Sequence, residues 1–249
     1  MSKQPSKLFL SYVLPAYNEE KNVLPLMESI TSAMKNSKEE YEIIFVIEGN
    51  DQTYPLLQKY HEEHPQLKMK LFYQPEPLGL TNAFKKGFGH IAQESTHAVT
   101  MDVDLNHKPE ELPLLIQKAK EGYNIVIGSR ALDGAKVMNV PAWKRVISKF
   151  ANTVFNKAFK IEVKDKTSGF RMIDATTIRE IAPLVQAKNF EGLMEFLLIA
   201  NYRHKSMVEV PITLTYRQYG ETKFRLFNAG VGYAKLLLKQ GYRKKDHKN

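Results

Sequence analysis

Cysteine is absent from this 249-residue chain, tryptophan occurs once, and no long apolar run is present. Without thiols there are no disulfides and no thiolate metal sites, so any metal has to be held by oxygen or imidazole. The absence of disulfides also fits a reducing compartment. The apolar run Ile43–Ile47 is five residues long, far from the roughly 18 that a membrane-spanning helix needs. The segment Met1-Ser-Lys-Gln-Pro-Ser-Lys7 is polar, and no apolar stretch of the secretory type follows it. A soluble or peripheral protein is expected. Internal repeats and low-complexity tracts are missing as well.

What is present is an ordinary globular composition, 43% hydrophobic and 25% charged. The length suits one large domain or two small ones. Lys and Arg number 36 against 27 Asp and Glu, a net charge of +9. That excess is uneven. Residues 1–140 carry 15 basic and 18 acidic side chains, whereas 141–171 carry 8 and 2, and 217–249 carry 9 and 2. Two cationic blocks in the C-terminal half point to a local anionic partner: nucleic acid, a phosphorylated substrate or an anionic membrane face. A solvated face and a ragged tail would look similar.

Short apolar runs alternate with helical patterns through the first 130 residues. Strands are expected at 8–14, 41–47, 67–73, 97–101 and 124–127, and helices at 19–35, 51–63, 79–93 and 109–121. This alternation implies an α/β fold with a mainly parallel central sheet flanked by helices, and ligands at the carboxyl ends of the strands. Beyond Arg130 the pattern reads as an irregular loop at 131–140, a basic amphipathic helix at 141–160 and an apolar helix at 190–203. A strand at 208–216 is interrupted at Pro211, and a last helix is expected near 224–240. That last helix sets Leu226, Phe227, Val231 and Leu238 beside Arg225, Lys235 and Lys239. It reads equally well as an interfacial helix or as one packed on its own core.

The most informative segment is Thr100-Met-Asp-Val-Asp-Leu-Asn-His107. Asp102 and Asp104 follow an apolar strand and, in an extended chain, point to the same side. They suit a shared divalent cation, with Mg2+ or Mn2+ favoured because the nearby ligands are hard oxygens. The plainer alternative is that Asp104 caps a turn.

Six motifs then carry a resemblance. They are Val13-Leu-Pro-Ala-Tyr-Asn-Glu19, Leu78-Gly-Leu-Thr-Asn-Ala-Phe-Lys-Lys-Gly87, Met101-Asp-Val-Asp-Leu-Asn-His-Lys-Pro109, Gly128-Ser-Arg130, Asp165-Lys-Thr-Ser-Gly-Phe-Arg171, and Glu209-Val-Pro-Ile with Arg217-Gln-Tyr-Gly-Glu-Thr-Lys223. In this order they resemble family 2 glycosyltransferases of the GT-A fold, specifically the dolichol-phosphate mannose synthases and other polyprenyl-phosphate glycosyltransferases. The resemblance implies a transferase domain over 1–223, followed at 224–249 by a basic amphipathic helix and tail for membrane-surface docking. It implies metal-dependent, inverting transfer of a sugar, mannose favoured, from a nucleotide-sugar donor to a polyprenyl-phosphate acceptor. The place implied is peripheral, on the cytoplasmic face of a membrane, with an anionic membrane surface as partner and room for a separate membrane subunit.

The resemblance assigns residues as follows. Pro15, Tyr17, Asn18, Glu19, Glu48, Gly79, Asp102 and Val103 line the nucleotide pocket. Asp102, Asp104 and Asn106 hold Mg2+ or Mn2+. Lys144, Arg145, Ser148, Arg171, Arg217 and Lys223 meet the acceptor phosphate, and Asp104, Arg130 and Arg217 are catalytic. One departure stands out: where the family has an acidic pair after its second strand, this chain has Ile47 and Glu48, so the donor base stays open. Two other readings compete. A transferase with a UDP-sugar donor and a soluble acceptor has no need of a cation-rimmed apolar helix. A nucleic-acid binder fits the net charge, but the basic blocks have no interleaved aromatic array or recognition helix, so no nucleic acid is expected.

Overall fold

A computed structural model describes residues 7–35, 37–138, 152–153 and 161–215, together with 232 and 236. β1 (Phe9–Tyr17) is buried along nearly all of its nine residues, as a strand covered on both faces must be. It pairs in parallel with β2 (Glu40–Glu48) on one side and β4 (His97–Thr100) on the other, and β2 pairs in parallel with β3 (Met69–Gln74). The returns are made by α1 (Val23–Lys35), α2 (Thr53–Glu63) and α3 (Leu80–Phe88). A 3-10 turn at Pro109–Glu111 leads into α4 (Leu112–Lys120), which precedes β5 (Ile125–Ser129).

The second half departs from simple alternation. β7 (Arg171–Asp174) inserts antiparallel between β4 and β5, and β8 (Met207–Pro211) closes the sheet parallel to β5. The order is β3-β2-β1-β4-β7-β5-β8. Two helices separate β7 from β8: α5 (Ala175–Ile181), N-capped by the Asp174 side chain, and the apolar α6 (Glu191–Tyr202). The region expected to be an irregular loop contains a short strand, β6 (Lys136–Met138), paired in parallel with β9 (Thr213–Thr215). The break expected at Pro211 separates β8 from β9.

Alternation along β1 divides the core. Tyr12 and Leu14 pack with Leu26, Met27 and Ile30 of α1 and Leu115 of α4. Val13 faces the other way, toward Phe84 and Phe88 of α3, Ile178 of α5 and Leu197 of α6. Two helical layers therefore clamp one sheet. The expected basic helix at 141–160 and the helix at 224–240 fall almost entirely outside the described residues. Among the described residues, no helix is long and apolar enough to cross a membrane.

Candidate active site

The parallel strands end on one edge of the sheet, and β7, running the opposite way, begins there, since Arg171 is paired with Thr100. Pro15, Tyr17, Asn18, Glu19, Glu48, Asp102, Val103, Asp104, Asn106, Arg130 and Arg171 thus share that edge. Lys144, Arg145, Ser148, Arg217 and Lys223 lie outside the described residues.

On the β1–β2 side, backbone geometry does much of the work. Asn18 adopts φ 51° and its Oδ1 accepts from the N–H groups of Asn50 (2.9 Å) and Asp51 (3.3 Å). Gly49, at φ 95°, sits against it, and a Cβ there would lie 2.0 Å from Asn18 Oδ1. Only glycine suits both the conformation and the space. Glu19 is buried; its N–H donates to Thr53 Oγ1 (2.8 Å) and its carboxylate accepts from Asn22 Nδ2 (2.6 Å). Pro15 is half-buried within β1, and Tyr17 is exposed at the rim.

The departure at residues 47 and 48 has a structural reason. Ile47 belongs to the apolar core, whereas Glu48 ends β2 at the site edge, buried, with Leu78 N–H donating to its Oε1 (2.9 Å). Burial raises the Glu48 pKa, and the Leu78 N–H and Lys86 oppose that rise. One carboxylate therefore stands where the resemblance implied two.

Gly79, assigned to the nucleotide pocket, immediately precedes α3. Thr81 N–H and Asn82 N–H, at the start of α3, both donate to the Lys188 carbonyl (2.9 and 3.3 Å). A Cβ on Gly79 would approach Asn189 Oδ1 to 2.5 Å. This geometry is that of close packing between the α3 turn and the segment before α6.

Asp104 organises the turn after β4. Its oxygens accept from Asn106 N–H (3.2 Å) and Asn106 Nδ2 (2.7 Å), while Leu105 takes φ 61°. With the amide nitrogen committed to a carboxylate, Asn106 Oδ1 is a buried oxygen with no hydrogen-bond partner. An orphaned hard oxygen on the residue bonded to Asp104, in the same turn that carries Asp102, fits a divalent cation. The turn-capping and ligand readings of Asp104 are compatible. No group of three or more His, Cys, Asp or Glu suited to a metal occurs among the described residues, so the fitting set is two carboxylates and one amide. Val103, between the two acids, points into the apolar core; its approach to a nucleotide can only be through backbone atoms.

Two neighbours frame Asp102. His107 is buried with its Nε2 3.6 Å from Asp102 Oδ2 and its ring against Phe170. Gly169 lies so close that a Cβ there would sit 3.0 and 3.1 Å from the two Asp102 oxygens.

Arg130, at the end of β5, forms a two-pronged ion pair with Asp165: Nε to Oδ2 and Nη2 to Oδ1, both 2.6 Å. Nη2 also donates to Thr167 Oγ1 (2.7 Å), and Arg130 N–H to Asp165 Oδ2 (3.0 Å). Burial drives the Asp165 pKa up, but the adjoining guanidinium and hydrogen bonds outweigh it and hold the carboxyl at about 2. Arg171 is buried and gives 2.8 Å hydrogen bonds to the carbonyls of Ser168, Leu193 and Lys166. These contacts shape the preceding loop from within. Sequence reasoning assigned no role to His107, Asp165, Thr167 or Gly169, although each lies inside a quoted motif; the motifs were the available signal.

Comparison with known proteins bears on the family and the fold. A family profile described as "Glycosyl transferase family 2" matches residues 11–181. A protein of Pyrococcus furiosus named dolichol-phosphate mannosyltransferase is 34% identical over 221 residues, covering 87% of this chain and 59% of its own length. The chain thus spans under two thirds of that relative. The polyprenol monophosphomannose synthase of Mycolicibacterium smegmatis is 31% identical over 215 residues, covering 85% of this chain and 79% of its own. Among solved structures, the mannosyltransferase PcManGT from Pyrobaculum calidifontis, in complex with GDP-Man and Mn2+, superposes with a TM-score of 0.60 at 15% identity. That match covers 95% of this chain and 65% of the other.

Proposed function

The chain belongs to glycosyl transferase family 2, and on that premise we propose that it transfers mannose from a nucleotide-diphosphate sugar to a polyprenyl phosphate. Its fold is the GT-A fold, with the mainly parallel sheet that the family uses. The observation that supports the reading is the juxtaposition at one sheet edge of an oxygen-only ligand set, Asp102, Asp104 and Asn106, with the buttressed guanidinium of Arg130.

In this reading Asp102, Asp104 and Asn106 hold Mg2+ or Mn2+, whose contribution is to neutralise the departing nucleotide diphosphate. Glu48, Asn18, Glu19, Tyr17 and Pro15 form the wall for base and ribose. The acceptor phosphate is ionised at neutral pH and needs no general base to attack the anomeric carbon. It does need cations, because two anionic reactants must approach each other. Arg130 supplies one, and Lys144, Arg145, Arg217 and Lys223, with Ser148, are assigned to the same task. A single displacement then inverts the anomeric configuration, with the leaving diphosphate stabilised and no glycosyl-enzyme formed. The cations of 141–160 and 217–249 serve an anionic membrane surface, where the lipid acceptor resides.

The test is a thermal-shift screen of GDP- and UDP-sugars with Mn2+ and Mg2+, followed by transfer to short polyprenyl phosphates. Stabilisation by GDP-mannose with metal and formation of mannosyl phospholipid are expected. Transfer confined to a water-soluble acceptor would overturn the lipid assignment.

A further inference from the structure

We infer that the segment Asp165–Gly169 is a single positioning bracket that sets Arg130 from one end and the Asp102 carboxylate from the other. The inference rests on the reading of Arg130 as the acceptor-side cation and Asp102 as a donor-side metal ligand. Neither Asp165 nor Gly169 is a catalytic residue; each acts through the group it holds.

The bracket is anchored on three strands. Glu209 of β8 accepts from the N–H groups of Lys164 and Asp165, both at 2.8 Å. Arg171, opening β7, binds the carbonyls of Lys166 and Ser168. Thr100, closing β4, donates through Oγ1 to the Gly169 carbonyl at 2.7 Å. Lys166 is completely buried, and its Nζ donates to the Val163 carbonyl. A loop tied at this many points has little freedom of its own.

From this frame the two ends reach different halves of the site. Asp165 receives both prongs of Arg130, and Thr167 Oγ1 receives a third hydrogen bond. A guanidinium held by a fork-to-fork pair has one orientation, whereas an unpaired one samples many. At the other end, Gly169 has no side chain, so the backbone itself backs the Asp102 carboxylate. A methyl group there would meet Oδ1 at 3.0 Å, Oδ2 at 3.1 Å and Cγ at 3.3 Å. Since Asp102 is the flexible partner, it is the carboxylate that would shift, by a few tenths of an ångström. The geometry of donor and acceptor sites is thereby fixed relative to one piece of chain.

Variants at the two ends separate this role from a general effect on folding. Gly169→Ala is expected to weaken Mn2+ binding to the full chain, measured by titration calorimetry without substrate, by about tenfold. It leaves the KM for a short polyprenyl phosphate near its original value. Asp165→Asn is expected to raise that KM, or lower kcat, by about tenfold to 100-fold while Mn2+ affinity stays unchanged. Thr167→Val is the milder companion, with a smaller effect of the same kind, and it carries the acceptor arm should Asp165→Asn fail to fold. If Gly169→Ala leaves Mn2+ affinity intact, or if each variant lowers both readouts in step with its thermal stability, the bracket is refuted. If the unaltered chain transfers nothing to polyprenyl phosphate, the lipid-acceptor reading falls, and the Mn2+ titration of Gly169→Ala still decides the Asp102 end.

Discussion

Asp165 illustrates what a single buried carboxylate does when its charge is matched. Its folded pKa of about 2 lies below its ordinary value of 3.8. A depressed pKa means that the fold favours the ionised form, so the stabilisation is complete above about pH 4 and is lost as pH falls toward 2. The difference corresponds to on the order of 2 kcal/mol. In Asp165→Asn, urea midpoints should fall at pH 7, and the slope of stability against pH between 4 and 2 should flatten. Asp102 and Asp104 differ because their proposed partner is a metal ion. Asp102→Ala and Asp104→Ala should each abolish Mn2+ binding in calorimetry, and EDTA should silence transfer by the unaltered chain. Full activity in EDTA would contradict the metal assignment. At this scale the motifs exposed the residues proposed as ligands, because carboxylates after an apolar strand are conspicuous. They did not expose that Val103 turns inward, that Ile47 fills core, or that Arg171 spends its donors on carbonyls. Those outcomes depend on what lies opposite each side chain.

Among the elements, α3 shows how tightly the helical layer meets the sheet. Gly87, in its last turn, stands over β1, where an added Cβ would come within 2.3 Å of Val13 Cγ1. Gly87→Ala gains roughly 1 kcal/mol of helix propensity. The contact is nevertheless with a fully buried side chain on a central strand, and overpacking at such a site costs about 1–3 kcal/mol. Steric cost should win, and urea denaturation should show a net loss of stability. The strands and helices of the first half were legible because each carries its own periodicity. β7 was not: four residues show no usable alternation, and its place between β4 and β5 is set by the partners that need pairing. β6 was missed for the same reason, being three residues that exist as a strand through β9.

For the molecule as a whole, the charge division matters most. Residues 1–140 are close to neutral and slightly acidic, and the positive excess is confined to 141–171 and 217–249. If those segments serve an anionic membrane, co-sedimentation with phosphatidylserine vesicles should be strong at low salt and fall steeply above physiological ionic strength, with neutral vesicles binding weakly. Replacing Arg243, Lys244 and Lys245 together should weaken vesicle binding without altering Mn2+ affinity. The sequence by itself determined the parallel α/β half, the carboxylate pair after its fourth strand and the family, because periodicity and ordered motifs are local properties of the chain. Tertiary structure alone decided that Arg130 is locked to Asp165, that Gly169 backs Asp102, and that one antiparallel strand splits the sheet. Each of these joins residues far apart in sequence, and only packing determines which of them meet.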